Sequence, residues 1–116
     1  MPELATAPFC PRFQRAVEVI GRRWTGAIVR ALMSGECRFN EIADTIPGIS
    51  DRLLSQRLKE LEAEGIIERG VVASHPVRVE YRLTPMGDEL VPVFEAMGAW
   101  AERWVAPPSA VRTRPE

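Results

Sequence analysis

The spacing of apolar residues changes period along the chain, and each change marks an element. Phe13, Ala16, Val17 and Ile20 recur at helical spacing and stop at Gly21. Trp24, Ile28, Val29 and Leu32 form a second helical stripe, predicted over Trp24–Met33 and closed by Ser34-Gly35. Asn40 is placed to cap a short helix, Glu41–Ile46, which Pro47-Gly48 breaks. Ser50 caps a longer helix that ends at Gly65, with Leu53, Leu54, Leu58 and Leu61 gathered on one face. The period then drops to two. Ile66–Ala73 and Arg78–Leu83 read as strands, and in the second Val79, Tyr81 and Leu83 alternate with Arg78, Glu80 and Arg82. Ser74-His75-Pro76-Val77 supplies the turn. Thr84-Pro85, a capping residue before a proline at the first helical position, opens a last helix to about Val105, which Pro92 kinks or splits.

This order predicts a fold. Two helices joined by a short glycine-containing turn make a helix-turn-helix, and a hairpin directly after the second is the wing of a winged helix. The expected class is mostly α with a small β-hairpin wing, an α+β winged helix-turn-helix. The helix after Ser50 would then be the recognition helix, and its polar face suits that use. Arg52, Ser55, Gln56 and Lys59 fall at i, i+3, i+4 and i+7. Arg pairs with guanine, Gln with adenine and Ser with either, while Lys reaches phosphate. Glu60, Glu62 and Glu64 cluster at the far end, outside a groove entered by the helix N-terminus. Arg57 projects toward the leucines and reads as a snorkelling flank.

The remaining bulk properties restrict this picture. One domain suits 116 residues, of which 46% are hydrophobic and 27% charged. Residues 10–105 are expected to form it, with Pro- and Ala-rich residues 1–9 and residues 106–116 as loose ends. No apolar run reaches the roughly 18 residues of a membrane helix, and the N-terminus lacks the pattern of a secretory signal. The expectation is a cytoplasmic protein without membrane contact. Net charge is −1, but it is unevenly spread. Arg12, Arg15, Arg22, Arg23, Arg30 and Arg38 face only Glu18 and Glu36, whereas Asp88, Glu89, Glu95 and Glu102 face only Arg103. A basic side can meet phosphate even when the total is near neutral.

With these elements in place, the chain resembles the HxlR-type winged-helix transcriptional regulators, which are related to the MarR-type regulators. The matching stretches are Cys10-Pro11, IGRRW (Ile20–Trp24), RFNEI (Arg38–Ile42), IPGIS (Ile46–Ser50), LLSQRLKELEAEGIIER (Leu53–Arg69), RVEYRLTPMG (Arg78–Gly87) and PVFEAM (Pro92–Met97). They stand in family order over about Cys10–Trp104. Arg23 departs from the lysine usual before the tryptophan, and keeps its charge. The resemblance implies a dimeric bacterial DNA-binding regulator, with repression the expected direction, acting on a pseudo-palindromic operator. The expected DNA contacts are Ser50, Arg52, Ser55, Gln56, Lys59, Arg78 and Arg23.

Two further features bear on regulation. Leu90, Val93, Phe94, Met97, Trp100, Ala101 and Trp104 nearly encircle the last helix, more apolar surface than a monomer's core can cover. A homodimer through the terminal helices follows, with Leu90, Phe94, Met97, Trp100 and Trp104 as its contacts. Cys10 lies beside Arg12 and Arg15, whose charge favours a reactive thiolate. Some members of the resembled family sense electrophiles or oxidants through a cysteine at the matching position, so Cys10 is a candidate redox sensor and an oxidant or small molecule a candidate effector. Cys37 has no role carried over. An enzyme is not expected: there is no phosphate loop, no nucleophile paired with a base, and a single histidine, His75. No metal or cofactor is expected either. The competing reading is a winged-helix module that binds protein rather than DNA.

Overall fold

The computed structural model describes residues 8–107. It contains α1 (Pro11–Ile20), α2 (Thr25–Met33), α3 (Phe39–Thr45), α4 (Asp51–Ala63), β1 (Ile67–Val72), β2 (Arg78–Leu83), α5 (Pro85–Asp88) and α6 (Val91–Trp104). β1 and β2 pair antiparallel, with Ile67 opposite Leu83 and Val72 opposite Arg78. This is the winged helix-turn-helix the residue pattern predicts: α3, turn and α4 followed by the hairpin. The expected loose ends, apart from Pro8, Phe9, Ala106 and Pro107, lie outside the described residues.

The core sits where α2, α3 and α4 meet the root of the hairpin. Ile28, Ile42, Leu54, Leu58, Ile66 and Ile67 are fully buried there. Leu54, Leu58 and Leu61 are the inward stripe of α4. Truncating such a side chain, as in Leu58→Ala, costs about 2–5 kcal/mol of stability through lost transfer energy and the cavity left behind. Two glycines make the local geometry. Gly48, in the turn between α3 and α4, has φ +88°, a left-handed conformation that costs glycine little. At Gly87 a β-carbon would stand 2.2 Å from the Ile66 carbonyl oxygen, so α5 packs against the chain entering β1 only because that position has no side chain.

Several boundaries differ from the sequence reading. Asn40 does not cap α3. The Glu41 carboxylate caps it instead, accepting from the backbone N–H groups of Cys37 at 3.0 Å and Arg38 at 3.1 Å, so the helix starts at Phe39 and stops before Ile46. The bond from Arg38 and then that from Cys37 hold the Glu41 carboxyl below its usual range. Trp24 does not begin α2 as a helical residue. It precedes the helix with φ +78°, the left-handed region a bulky side chain rarely adopts. The last helix is split, as Pro92 suggested, but the break falls at Glu89 and Leu90, with Pro92 in the first turn of α6. The predicted caps Ser50 and Thr84 are in place: Ser50 Oγ accepts from Leu53 N at 3.0 Å and Thr84 Oγ1 from Gly87 N at 3.1 Å.

Helix α1 departs furthest. The stripe Phe13, Ala16, Val17 and Ile20 suggests a core face, yet α1 buries no residue, and Phe13 is 62% exposed.

Candidate nucleic-acid interface

The candidate surface is the outer face of α4 with the α1–α2 turn and the hairpin beside it. Ser50 fixes the start of α4, and Asp51 in the first turn complements the helix dipole. Burial of Leu54, Leu58 and Leu61 then fixes the rotation of the helix. Arg52, Gln56 and Lys59 are consequently exposed and Ser55 half-buried. Arg52 and Lys59 enter none of the ion pairs among the described residues, so their charge is free for another partner.

The second half of α4 behaves oppositely. Glu60 Oε1 accepts from Arg22 Nη1 at 2.8 Å and from Arg57 Nη1 at 3.0 Å, and Glu64 pairs with Arg15. The hydrogen bond from Arg22, more than the nearby charges, holds the Glu60 carboxyl below its usual range. The basic side predicted for Arg12–Arg38 is therefore partly neutralised: Arg15 and Arg22 are spent on the acidic end of α4. Arg57 is no base reader; its side chain is mostly buried and also donates from Nε to the Arg23 carbonyl at 3.2 Å.

Arg23 is exposed, with its guanidinium 4.8 Å from the centre of the Trp24 ring, and it stands near α4 through the Arg57 bond. Arg78 stands beside the hairpin turn, opposite Val72. It starts β2, its Nη2 lies 3.4 Å from Glu80 Oε2, and its buried Nε has no partner. Arg78 thus turns toward Glu80 at the turn end of the hairpin, because the strand alternation puts both on one side. Arg69, exposed on β1 and outside every ion pair among the described residues, is a wing cation that the sequence reading passed over. Strand alternation alone gave no reason to single it out.

The dimerisation set divides. Phe94 is buried against Gly26 of α2, and Leu90 packs on the core, so both belong to the protomer's own interior. Met97, Trp100 and Trp104 remain on the surface, with the tryptophans 62% and 67% exposed. Phe9, Phe13 and Val17 are exposed near the other end of the chain. Phe13 and Val17 were hidden in the sequence by an i, i+4 stripe that reads as core whether a core or a partner covers it. Cys10 is half-buried at the N-cap of α1, a free thiol. Cys37 is also free, and burial, followed by the charges of Glu80 and Glu41, pushes its thiol pKa up. No helix among the described residues is long and apolar enough to cross a membrane.

Comparison with known proteins agrees with this fold. Residues 19–109 match the HxlR-like helix-turn-helix family. The helix-turn-helix transcriptional regulator YvaP of Bacillus subtilis is 46% identical over 98 residues, covering 84% of this chain and 91% of its own. The regulator YodB of the same organism is 46% identical over 102 residues, 88% of this chain and 91% of its own. The reduced form of YodB matches the fold with a TM-score of 0.75 over 85% of this chain and 97% of that structure, at 46% identity. YodB has also been solved after diamide treatment, covering 87% and 100% at 46% identity and TM-score 0.72, and with quinone bound, covering 83% and 100% at 45% and 0.70. The redox regulator HypR in its oxidised form matches with a TM-score of 0.77 and 38% identity, over 84% of this chain and 100% of that one. The protein is a DNA-binding transcriptional regulator rather than an enzyme, and it belongs to the HxlR-like helix-turn-helix family.

Proposed function

We propose that the chain acts in the cytoplasm as a homodimer that reads a pseudo-palindromic operator and represses transcription from it. Each protomer inserts the first two turns of α4 into the major groove, with Arg52, Ser55 and Gln56 at base edges, Ser50 and Lys59 at phosphates, and Arg23, Arg78 and Arg69 along the backbone. The observation that carries this reading is the unpaired charge of Arg52 and Lys59 on a helix whose other face is wholly committed to the core. Cations that fold stability does not use are available to phosphate. The exposed stripe Met97, Trp100 and Trp104 of α6, with Phe13 and Val17 of α1, supports the dimer. Two recognition helices then meet half-sites about 34–36 Å apart or a multiple of that.

The direct test is binding to duplex DNA at several salt concentrations. Affinity should fall steeply as salt rises, because phosphate contacts release counterions. Weak binding at every salt concentration would favour a protein-interaction module instead.

Cys10 is the proposed sensor within this reading. It starts the helix that carries Phe13 and Val17, so an adduct or a disulfide there would alter the packing of α1 and the spacing of the two α4 helices. Disulfide formation by diamide takes two electrons and two protons from two thiols, and the second sulfur is Cys10 or Cys37 of a partner protomer or that of a small thiol. The diamide-treated and quinone-bound forms of YodB support this choice of reagents. Wild type should lose DNA on treatment with diamide or a quinone, with reductant restoring binding after diamide, and Cys10→Ser should not respond. An equal response of the two proteins would leave Cys10 a structural residue.

A further inference from the structure

One carboxylate on α4, that of Glu60, is used neither by the core nor by the reading face. Glu60 collects three donors: Arg22 and Arg57 on Oε1, and Gln56 Nε2 on Oε2 at 3.4 Å. Arg57 in turn holds the carbonyl of Arg23. These bonds tie the α1–α2 turn, which contains the left-handed Trp24, to the middle of the recognition helix. Backbone in that region persists only where its surroundings over-determine it, and here the indole packs on the core while Arg57 grips the preceding carbonyl.

We infer that Arg57 and Glu60 are positioning residues, which fix where Gln56 and Arg23 meet the duplex without touching it themselves. The chemistry is specific for Gln56. Adenine is read by an amide that offers its N–H to N7 and its oxygen to the N6 amino group. A carboxylate accepts only, so Glu60 attracts the amide nitrogen and repels the amide oxygen. One N–H bonds to Glu60, while the other N–H and the oxygen stay available, and the flipped amide is disfavoured. Arg23 is set by its backbone, held at the carbonyl by Arg57. Arg22 acts one step further back, by occupying Glu60.

The inference rests on the reading of Gln56 and Arg23 as DNA contacts, and its test separates the two. Duplexes are selected from a randomised library with the full chain, and base preference is read position by position for wild type, Gln56→Ala, Glu60→Ala, Glu60→Gln and the Gln56→Ala/Glu60→Ala pair. Gln56→Ala identifies the base pair that Gln56 reads. Glu60→Ala should lower preference at that base pair by roughly three- to tenfold, leave the positions read by Arg52 unchanged, and not weaken binding to random DNA, because a negative charge has been removed. The double variant should be no worse there than Gln56→Ala. Glu60→Gln, which keeps an accepting oxygen, should recover part of the preference. Arg57→Lys keeps the charge but not the forked grip, and should reduce the salt slope by about one, as Arg23→Ala does. Unchanged preference in Glu60→Ala, equal loss at every position, or an unchanged slope in Arg57→Lys would overturn the inference. If Gln56→Ala alters no position, base reading by Gln56 fails first and the inference falls with it.

Discussion

Helices α4 and α6 are of nearly equal length, 13 and 14 residues, and their outer faces are opposite in kind. α4 buries Leu54, Leu58 and Leu61 and turns Arg52, Gln56 and Lys59 outward. α6 buries Phe94 and turns Met97, Trp100 and Trp104 outward. An outward cation loses nothing in water and gains beside phosphate. An outward tryptophan leaves unused apolar burial worth a few kcal/mol. Each face therefore indicates a different class of partner: nucleic acid for one, a second apolar surface for the other. α4 also repeats the contrast within itself, because Glu60 near its end and Glu64 at its C-cap are already paired with Arg22, Arg57 and Arg15.

The largest effect should come from breaking the apolar face. Trp104→Glu or Met97→Glu would place a charge in the proposed interface, with a penalty of several kcal/mol if it is unpaired. Sedimentation should show monomers, and operator binding should drop with the loss of the second half-site. A variant that stays dimeric and binds normally would remove α6 from the interface.

A smaller effect is expected at the end of the polar face. Lys59→Ala should weaken binding to all sequences about equally and reduce the salt slope by about one. Loss confined to one base position would make Lys59 a base reader instead.

The smallest effect concerns the paired half of α4. The folded Glu60 carboxyl titrates below its unfolded value of about 4.3, chiefly through the hydrogen bond from Arg22. A lowered carboxyl contributes stability above the unfolded pKa and loses it as pH falls through the folded pKa. Glu60 and Arg22 are partly exposed, so the contribution is modest. The difference in denaturation midpoint between wild type and Glu60→Gln should be present near neutral pH and vanish on acidification through that range. A difference that persists in acid would mean that the substitution acts through something other than the charge.

What could be read from the sequence follows the physics of each feature. The period of Leu54, Leu58 and Leu61, the cap at Ser50 and the alternation Val79-Tyr81-Leu83 are local signals, and they gave the helix-turn-helix, its second helix and the wing. Arg52, Gln56 and Lys59 were legible for the same reason, since one buried stripe fixes the opposite face. Pairings between elements were not legible. Nothing in the spacing of Arg15 and Arg22 shows that they meet Glu64 and Glu60, 49 and 38 residues away. Phe94 and Trp104 look alike in a pattern, and only packing separates a core contact from a surface one. Glu60 was read as an acid kept out of the groove; its i, i+4 spacing from Gln56 was visible, but its hold on Arg22 required the fold.

Base readout by α4 is tested most directly by comparing Arg52→Ala with Lys59→Ala on a selected duplex and on its single-base-pair variants. Arg52→Ala should cost about 1–3 kcal/mol on the selected site and flatten preference at one position in each half-site. Lys59→Ala should lower every affinity by a similar factor and leave the preferences intact. Unchanged preference in Arg52→Ala, with specific binding retained, would contradict the assignment of α4 as the helix that reads DNA.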